Sequence, residues 1–306
     1  MAASRTRRLC GAPAQLLRRH FLSVPRARFP TVQGHRGAPL LEPENTLAGF
    51  QRAAEVGADS VELDVFMTKD GIPVVFHGGM ASAKVREKVK LLHPDSDPND
   101  FLVGELSTLT KTEGNIQDLS MAEIGTLELN PAGYDCPMDR ISQPSAYIPT
   151  LQEALLLCRT LGLHVTVELK GIDTPKPVVK MLQSLGMVEK VTVSSFTWSL
   201  VEEAKALEPD LHIALLFVEP PADTMEHALK YNASELHFRY DTVTKELVAD
   251  AHRHGLTTMA WFRSPHSMKN EESYFFQLIE AGIDVICTNQ PDALAELKQT
   301  LVLPKL

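Results

Sequence analysis

The 306-residue sequence predicts an α/β fold, a (β/α)8 TIM barrel with an insertion after the hairpin of its second strand. Three observations predict it. From residue 31 onward, short β-branched runs alternate with stretches of helical period, eight such runs occur in order, and together they fill about 270 residues, close to the ~250 typical of the fold.

The first run, Thr31 to His35, precedes a helical pattern from Thr46 to Val56. The second, Ser60 to Phe66, is trailed by an extra apolar run, Pro73 to His77, across Lys69-Asp70-Gly71-Ile72. Asp-Gly between apolar runs is a strong hairpin signal, so the extra run should fold back antiparallel on the second strand. With Asp70 and Gly71 as a two-residue loop, paired residue numbers sum to 141 and Asp64 faces His77. Gly78 to Pro149 is rich in Pro, Asp and Ser and has no helix pattern to match, which marks about 78–149 as an insertion over the barrel mouth. Helical period resumes from Thr150 to Leu161. The remaining strand runs are His164 to Leu169, Val191 to Ser195, His212 to Phe217, Glu235 to Phe238, Thr257 to Phe262 and Asp284 to Cys287. Helical patterns at Ser199 to Leu207, Val243 to His254 and Pro291 to Leu301 follow some of them, several opened by a cap-like Thr, Ser or Pro.

Composition narrows the class. With 44% hydrophobic and 23% charged residues the chain is neither disordered nor fibrous, and no run of about eighteen apolar residues offers a transmembrane helix. The formal charge is −9, but residues 1–30 hold seven arginines and no acid occurs before Glu42, so the remainder stands at −16. A body that acidic repels nucleic-acid phosphates. The Arg-rich leader, with Leu9, Leu16, Leu17, Phe21 and Leu22, reads as a mitochondrial transit peptide, the alternative being a disordered basic tail on a cytoplasmic protein. Cys10, Cys136, Cys158 and Cys287 lack any paired spacing, which argues against a zinc site or a disulfide framework.

Barrel enzymes draw their catalytic groups from the C-terminal ends of strands. The first run ends in His35-Arg36-Gly37; the second carries Glu62-Leu63-Asp64, whose alternation puts both carboxylates on one face; His164 to Leu169 ends in Glu168-Leu169-Lys170. Charges pointing into a barrel are costly unless paired or metal-bound. Glu62, Asp64 and Glu168 are hard oxygen ligands suited to one divalent cation, Mg2+ or Ca2+, with Mn2+ also possible. His35 and His77 can exchange protons near neutral pH, while Arg36 and Lys170 can hold an anion such as a phosphodiester.

These pieces resemble the glycerophosphodiester phosphodiesterase family. The matching motifs are Gly34-His35-Arg36-Gly37, Pro43-Glu44-Asn45-Thr46, Val61-Glu62-Leu63-Asp64, Thr68-Lys69-Asp70-Gly71 through Val74-Val75-Phe76-His77, Gly114-Asn115-Ile116-Gln117-Asp118-Leu119-Ser120, Ile148-Pro149-Thr150-Leu151, Glu168-Leu169-Lys170, Ser194-Ser195-Phe196 and Cys287-Thr288, in family order. The resemblance implies a metal-dependent hydrolase that yields glycerol 3-phosphate and an alcohol. It implies one divalent metal on Glu62, Asp64 and Glu168, His35 and His77 as acid and base, and Arg36 and Lys170 on the phosphate. It further implies a two-step path, in which a neighbouring glycerol hydroxyl attacks phosphorus and water then opens a cyclic phosphate. Three departures stand out: Gly78 where Asp usually follows the second histidine, Trp261-Phe262-Arg263-Ser264 where Trp-Thr-Val-Asn is frequent, and Thr288-Asn289 in place of Thr-Asp.

Alternatives stay open. A phospholipase cutting phosphatidylglycerol or a lysophospholipid would suit the mitochondrial address, with the basic alternation of Lys84, Arg86, Lys88 and Lys90 as a peripheral membrane contact or simply a solvated face. A barrel that binds a phosphorylated ligand without turnover is the non-enzymatic reading. Glu44, Asn45 and Thr46 read as a helix start. His237 reads equally as a substrate contact and as a core histidine, and Trp261 as a pocket wall or as barrel packing.

Overall fold

A computed structural model describes residues 29–80, 102–103, 110, 113–127, 136, 147–171, 173–263 and 270–302. The leader and the Lys84–Lys90 stretch lie outside these residues. Eleven strands occur among them: β1 (Thr31–Gly34), β2 (Ser60–Met67), β3 (Pro73–Val75), β4 (Gly79–Met80), β5 (Leu102–Val103), β6 (His164–Leu169), β7 (Val191–Ser195), β8 (His212–Phe217), β9 (Glu235–Arg239), β10 (Thr257–Trp261) and β11 (Val285–Thr288). The α-helices are α1 (Leu47–Glu55), α2 (Met121–Ile124), α3 (Leu151–Leu161), α4 (Pro175–Leu185), α5 (Trp198–Leu207), α6 (Thr224–Lys230), α7 (Lys245–Arg253), α8 (Glu272–Ala281) and α9 (Pro291–Val302).

Eight parallel strands run in the order β1-β11-β10-β9-β8-β7-β6-β2, and pairing of β1 with β2 closes the barrel. Helices α1 and α3 to α8 supply the crossovers, as parallel neighbours require, and α9 follows the last strand. Strand alternation then sorts the side chains. Val61, Leu63 and Val65 of β2, Val165 and Val167 of β6, and Ile213 and Leu215 of β8 join the main apolar core between sheet and helices. Their alternates on β2 and β6, Glu62, Asp64, Thr166 and Glu168, are buried polar residues on the opposite side, as are Thr192 and Ser194 of β7, the alternates of Val191 and Val193. On β2, β6 and β7 one face therefore packs the core and the other is polar.

The hairpin differs from the two-residue loop expected. Val65 pairs with Val75, Phe66 with Val74 and Met67 with Pro73, so paired numbers sum to 140, and Asp64 faces Phe76 rather than His77. The loop is Lys69-Asp70-Gly71, closed by Thr68 N–H on Ile72 O at 3.0 Å, with Gly71 at φ 78°. Asp70 is held away from the turn geometry expected of Asp-Gly: its carboxylate accepts from Thr68 Oγ1 at 2.6 Å and from Met121 N–H at 3.0 and 3.2 Å. A three-residue loop with glycine in the left-handed position is the outcome.

Within the segment read as an insertion, a 3-10 turn at Ile116–Asp118 and the single-turn α2 are described. Ile116, Ile124 and Ile148 pack on Phe66, Val74 and Phe76, and Lys69 N–H donates to Leu119 O at 2.8 Å. This part of the segment is thus docked on the hairpin. Helices α4, α6 and α8 were not apparent in the sequence pattern.

The turn after β1 is sterically closed. A Cβ on Gly37, whose φ is 94°, would lie 2.7 Å from Gly49 C and 2.8 Å from Gly49 O. Gly37→Ala should therefore lower unfolding free energy by about 2–4 kcal/mol, the sum of backbone strain and overlap with a neighbouring main chain. Gly162→Ala, also at positive φ but with nothing within 4 Å of the added Cβ, should cost only about 1–2 kcal/mol. Urea unfolding of both variants checks the contrast.

Candidate active site

β1 stops at Gly34, and His35-Arg36-Gly37 leaves the strand as a tight turn with Gly37 N–H on Gly34 O at 3.2 Å. Arg36 sits at φ 54°, uncommon for a residue with a side chain. The strain is held by specific bonds: Arg36 N–H donates to Glu62 Oε2 at 3.0 Å, and Arg36 O accepts from Asn45 N–H at 3.0 Å. This turn delivers His35 and Arg36 to the C-terminal end of β2.

There Glu62, Asp64 and Glu168 each present a carboxylate oxygen within 4.8 Å of the others, all buried. Neighbouring register explains the juxtaposition, since Asp64 and Glu168 are paired positions of β2 and β6 and Glu62 is two residues before Asp64 on the same face. Lys170 Nζ lies 3.3 Å from Asp64 Oδ1 and 2.5 Å from Glu168 Oε1. Arg36 Nη1 donates to both carboxylate oxygens of Glu44, at 3.1 and 3.0 Å, and its Nε lies 3.4 Å from Asp64 Oδ2. Asn45 Nδ2 donates to Asp64 Oδ2 at 2.8 Å.

Electrostatics distinguishes the three acids. Burial first, then Asp64 and Glu168, push the Glu62 carboxyl well above the usual range, against the pull of Arg36 and Lys170. Burial also acts to raise Asp64, but Lys170, His77, Arg36 and the Asn45 amide outweigh it and hold the group below its ordinary value. Glu62 Oε1 is buried with no hydrogen-bond partner. Among the described residues, Glu44, Glu62, Asp64 and Glu168 share the site with Arg36 and Lys170. An orphaned buried oxygen amid three clustered hard donors fits a divalent cation.

Both histidines belong to this group. His35 Nε2 lies 3.9 Å from Glu62 Oε2, and its Nδ1 lies 2.8 Å from Asn289 Oδ1. Burial, aided by Arg36 and opposed by Asp64, lowers its pKa to about 3, which keeps the ring neutral. His77 follows β3 and arrives without the strand pairing expected for it. It lies near enough to Arg36, Asp64, Lys170 and His35 to feel their charge, and burial leads the causes that depress its pKa well below 6.5. Its Nδ1 lies 3.0 Å from Gly78 O, and Gly78 takes φ 76°. A main-chain carbonyl only accepts, so Nδ1 carries the hydrogen and Nε2 is left with the lone pair. The backbone of Gly78 thus orients the ring where the family pattern usually has an Asp.

The remaining candidates lie apart from the acids. His237 is 1% exposed, and its Nε2 is 3.1 Å from Glu235 Oε2; Glu235 also accepts from Thr192 Oγ1 at 2.8 Å. Trp261, partly buried, meets Phe196 edge-on at 5.4 Å and packs with Leu216 and Val218. Lys170 Nζ is 5.7 Å from the Phe196 ring centre, so this apolar wall adjoins the charged group.

Sequence reasoning missed Glu44 and Asn45. Thr46 does cap α1, accepting from Gly49 N–H, but the two residues before it turn inward onto Arg36 and Asp64, with Asn45 at φ 55°. It also missed Glu271, whose carboxylate accepts from Thr288 Oγ1 at 2.5 Å and from Asn289 N–H at 3.0 Å. Nothing in local periodicity marks Glu271, which is brought to β11 only by the fold.

Comparison with known proteins agrees with the fold and the order of the motifs. A glycerophosphodiester phosphodiesterase of Caldanaerobacter subterraneus is 29% identical over 274 residues, covering 87% of this chain and 96% of the relative. Among solved structures, an Oleispira antarctica phosphodiesterase in complex with the product sn-glycerol-3-phosphate superposes with a TM-score of 0.69 at 25% identity, over 88% of this chain and 96% of that one. A glycerophosphodiester phosphodiesterase of Agrobacterium tumefaciens shares the fold at 23% identity and a TM-score of 0.66, over 87% and 99% of the two chains. The family profile of the glycerophosphoryl diester phosphodiesterases matches residues 35–293, which takes in every group of the site from His35 to Asn289. With barrel, motifs and profile in agreement, the chain belongs to the glycerophosphoryl diester phosphodiesterase family of phosphoric diester hydrolases.

Proposed function

We propose that this chain hydrolyses glycerophosphodiesters to glycerol 3-phosphate and an alcohol, with a divalent cation held by Glu62, Asp64 and Glu168. The observation that carries the reading is the buried three-carboxylate cluster flanked by two neutral histidines and two cations. Mg2+, Ca2+ and Mn2+ all suit such oxygen donors. When bound, the cation supplies Lewis-acid stabilisation of charge on phosphoryl oxygens.

The protein's own groups do the rest. Arg36 and Lys170 hold the phosphodiester anion and keep it against the histidines. One histidine takes the proton of the glycerol hydroxyl next to the ester as that oxygen bonds to phosphorus. The other gives a proton to the departing alcohol as its P–O bond breaks, and the roles reverse when water opens the cyclic phosphate. An arriving anion raises the pKa of the histidine it approaches, which supplies the protonated partner from two rings that are neutral at rest.

A second reading, hydrolysis of lysophospholipids, is favoured by the wall of Phe196, Leu216, Val218 and Trp261 beside Lys170, which offers an apolar surface to a longer alcohol or acyl chain. Assaying glycerophosphocholine against lysolipid vesicles separates the two. The Arg-rich, acid-free leader supports import into mitochondria. A C-terminally tagged full chain should co-fractionate with mitochondria, and a purely cytosolic distribution would refute the address.

Glu62→Gln, Asp64→Asn and Glu168→Gln should each leave a folded protein with weakened cation binding by calorimetry and little metal-dependent turnover. Near-normal activity at limiting metal in any two would sink the cation assignment. Because Glu62 is pushed upward, cation binding should release protons at pH values where that carboxyl is protonated, and this release should shrink in Glu62→Gln.

His35→Ala and His77→Ala should each lower kcat by about 10²- to 10⁴-fold, the usual range for loss of a general acid or base, with substrate binding retained through Arg36 and Lys170. Full kcat in His77→Ala would remove it from the mechanism.

A further inference from the structure

The amide of Asn289 has no freedom. Its Nδ2 donates to Arg263 O at 2.7 Å and to Glu271 Oε1, so both amide hydrogens are taken by oxygens that can only accept. Glu271 itself is fixed, because its other oxygen receives Asn289 N–H at 3.0 Å and Thr288 Oγ1 at 2.5 Å. It stands just before α8 yet makes no capping bond there, being turned toward β11 instead. Glu271 is 2% exposed and Asn289 1%.

We infer that Glu271 is a positioning residue for the reaction: by holding both ends of Asn289, it presents Oδ1 to His35 and locks that ring as the Nδ1–H tautomer with Nε2 free toward the acidic cluster. The inference rests on His35 acting in proton transfer, as proposed above. A flipped amide would set Oδ1 against Arg263 O and Glu271 Oε1, two oxygen pairs with no hydrogen between them. With Oδ1 toward His35, the facing Nδ1 must carry hydrogen. The lone pair then sits on Nε2, 3.9 Å from Glu62 Oε2, where a substrate proton can be exchanged. An Asp at this position would set its carboxylate directly against that of Glu271, so Asn289 fits the Glu271 of this chain.

The test is isosteric. In Glu271→Gln the new amide oxygen must stay on Asn289 N–H, which leaves the new NH2 facing Nδ2 of Asn289. Arg263 O alone then opposes a turn of the Asn289 amide, so the amide is no longer fixed, and wherever it turns Nδ2 donates to His35 Nδ1 and reverses the tautomer. Histidine 15N spectra of the full-length, Mg2+-loaded protein, with the His35 signals assigned by their loss in His35→Gln, should show protonated Nδ1 in the wild type. Glu271→Gln should shift that signal toward protonated Nε2 and lower kcat by about 10- to 100-fold, a usual cost of losing an outer-shell partner, with KM within about twofold.

Protonated Nε2 in the wild type overturns the inference without any variant. So does a folded Glu271→Gln with wild-type spectra. If the tautomer shifts as expected while His35→Ala keeps full kcat, the positioning stands and the catalytic reading of His35 falls.

Discussion

The rest of this structure answers to one constraint, the concentration of carboxylates at the mouth of a closed barrel. Glu62, Asp64 and Glu168 are buried on adjacent strands, and ionised acids so placed repel each other and lose hydration. Every unusual local feature nearby relieves that cost. The strained Arg36 turn brings a guanidinium to Asp64 and a backbone N–H to Glu62, while Asn45 folds inward to bond Asp64. Lys170, the residue immediately after β6, supplies the second cation. The group resembles a solvation shell assembled from protein, adequate for Asp64 but incomplete for Glu62.

Much of this was legible in the sequence, for a definable reason. Glu62-Leu63-Asp64 and Glu168-Leu169-Lys170 announce inward charge because strand period is two and the intervening residues are apolar, a pattern that survives any error in loop geometry. Of the helices that could be read, α1, α3 and α7 open on a Thr that makes its capping bond, α9 opens on Pro291, and α5 makes no capping bond but shows its apolar spacing. Those that could not, α4, α6 and α8, have no side-chain capping bond at all. α4 carries only Pro175 at its start, and Asp223 and Glu271, which precede α6 and α8, make no capping bond.

The hairpin shows the same limit from the other side. Its Asp70-Gly71 signal is genuine, but the turn type depends on Met121 N–H, 51 residues away, capturing the Asp70 carboxylate. That one-residue difference reverses which face of the hairpin His77 belongs to, and the histidine still reaches the cluster because it lies past the last paired residue. Glu44 and Asn45 read as helix-start residues, and their inward role shows only in the fold, in the bonds to Arg36 and Asp64 and the left-handed backbone at Asn45.

The shortness of β1 has a consequence of its own. It pairs with only Ser60 and Val61 of β2, so beyond that point β2 would present a bare row of main-chain donors and acceptors. Such an edge invites a strand from another molecule. β3 fills the gap against Val65 to Met67, and its own outer side is sealed in turn, with Val75 N–H on Pro149 O at 2.8 Å and a bridge from Val74 to Thr150. Proline at 149 has no N–H to extend the ladder. The hairpin that carries His77 is therefore also the seam that protects the barrel from association, and loosening it would expose a sticky edge at the same moment that it disarms the site.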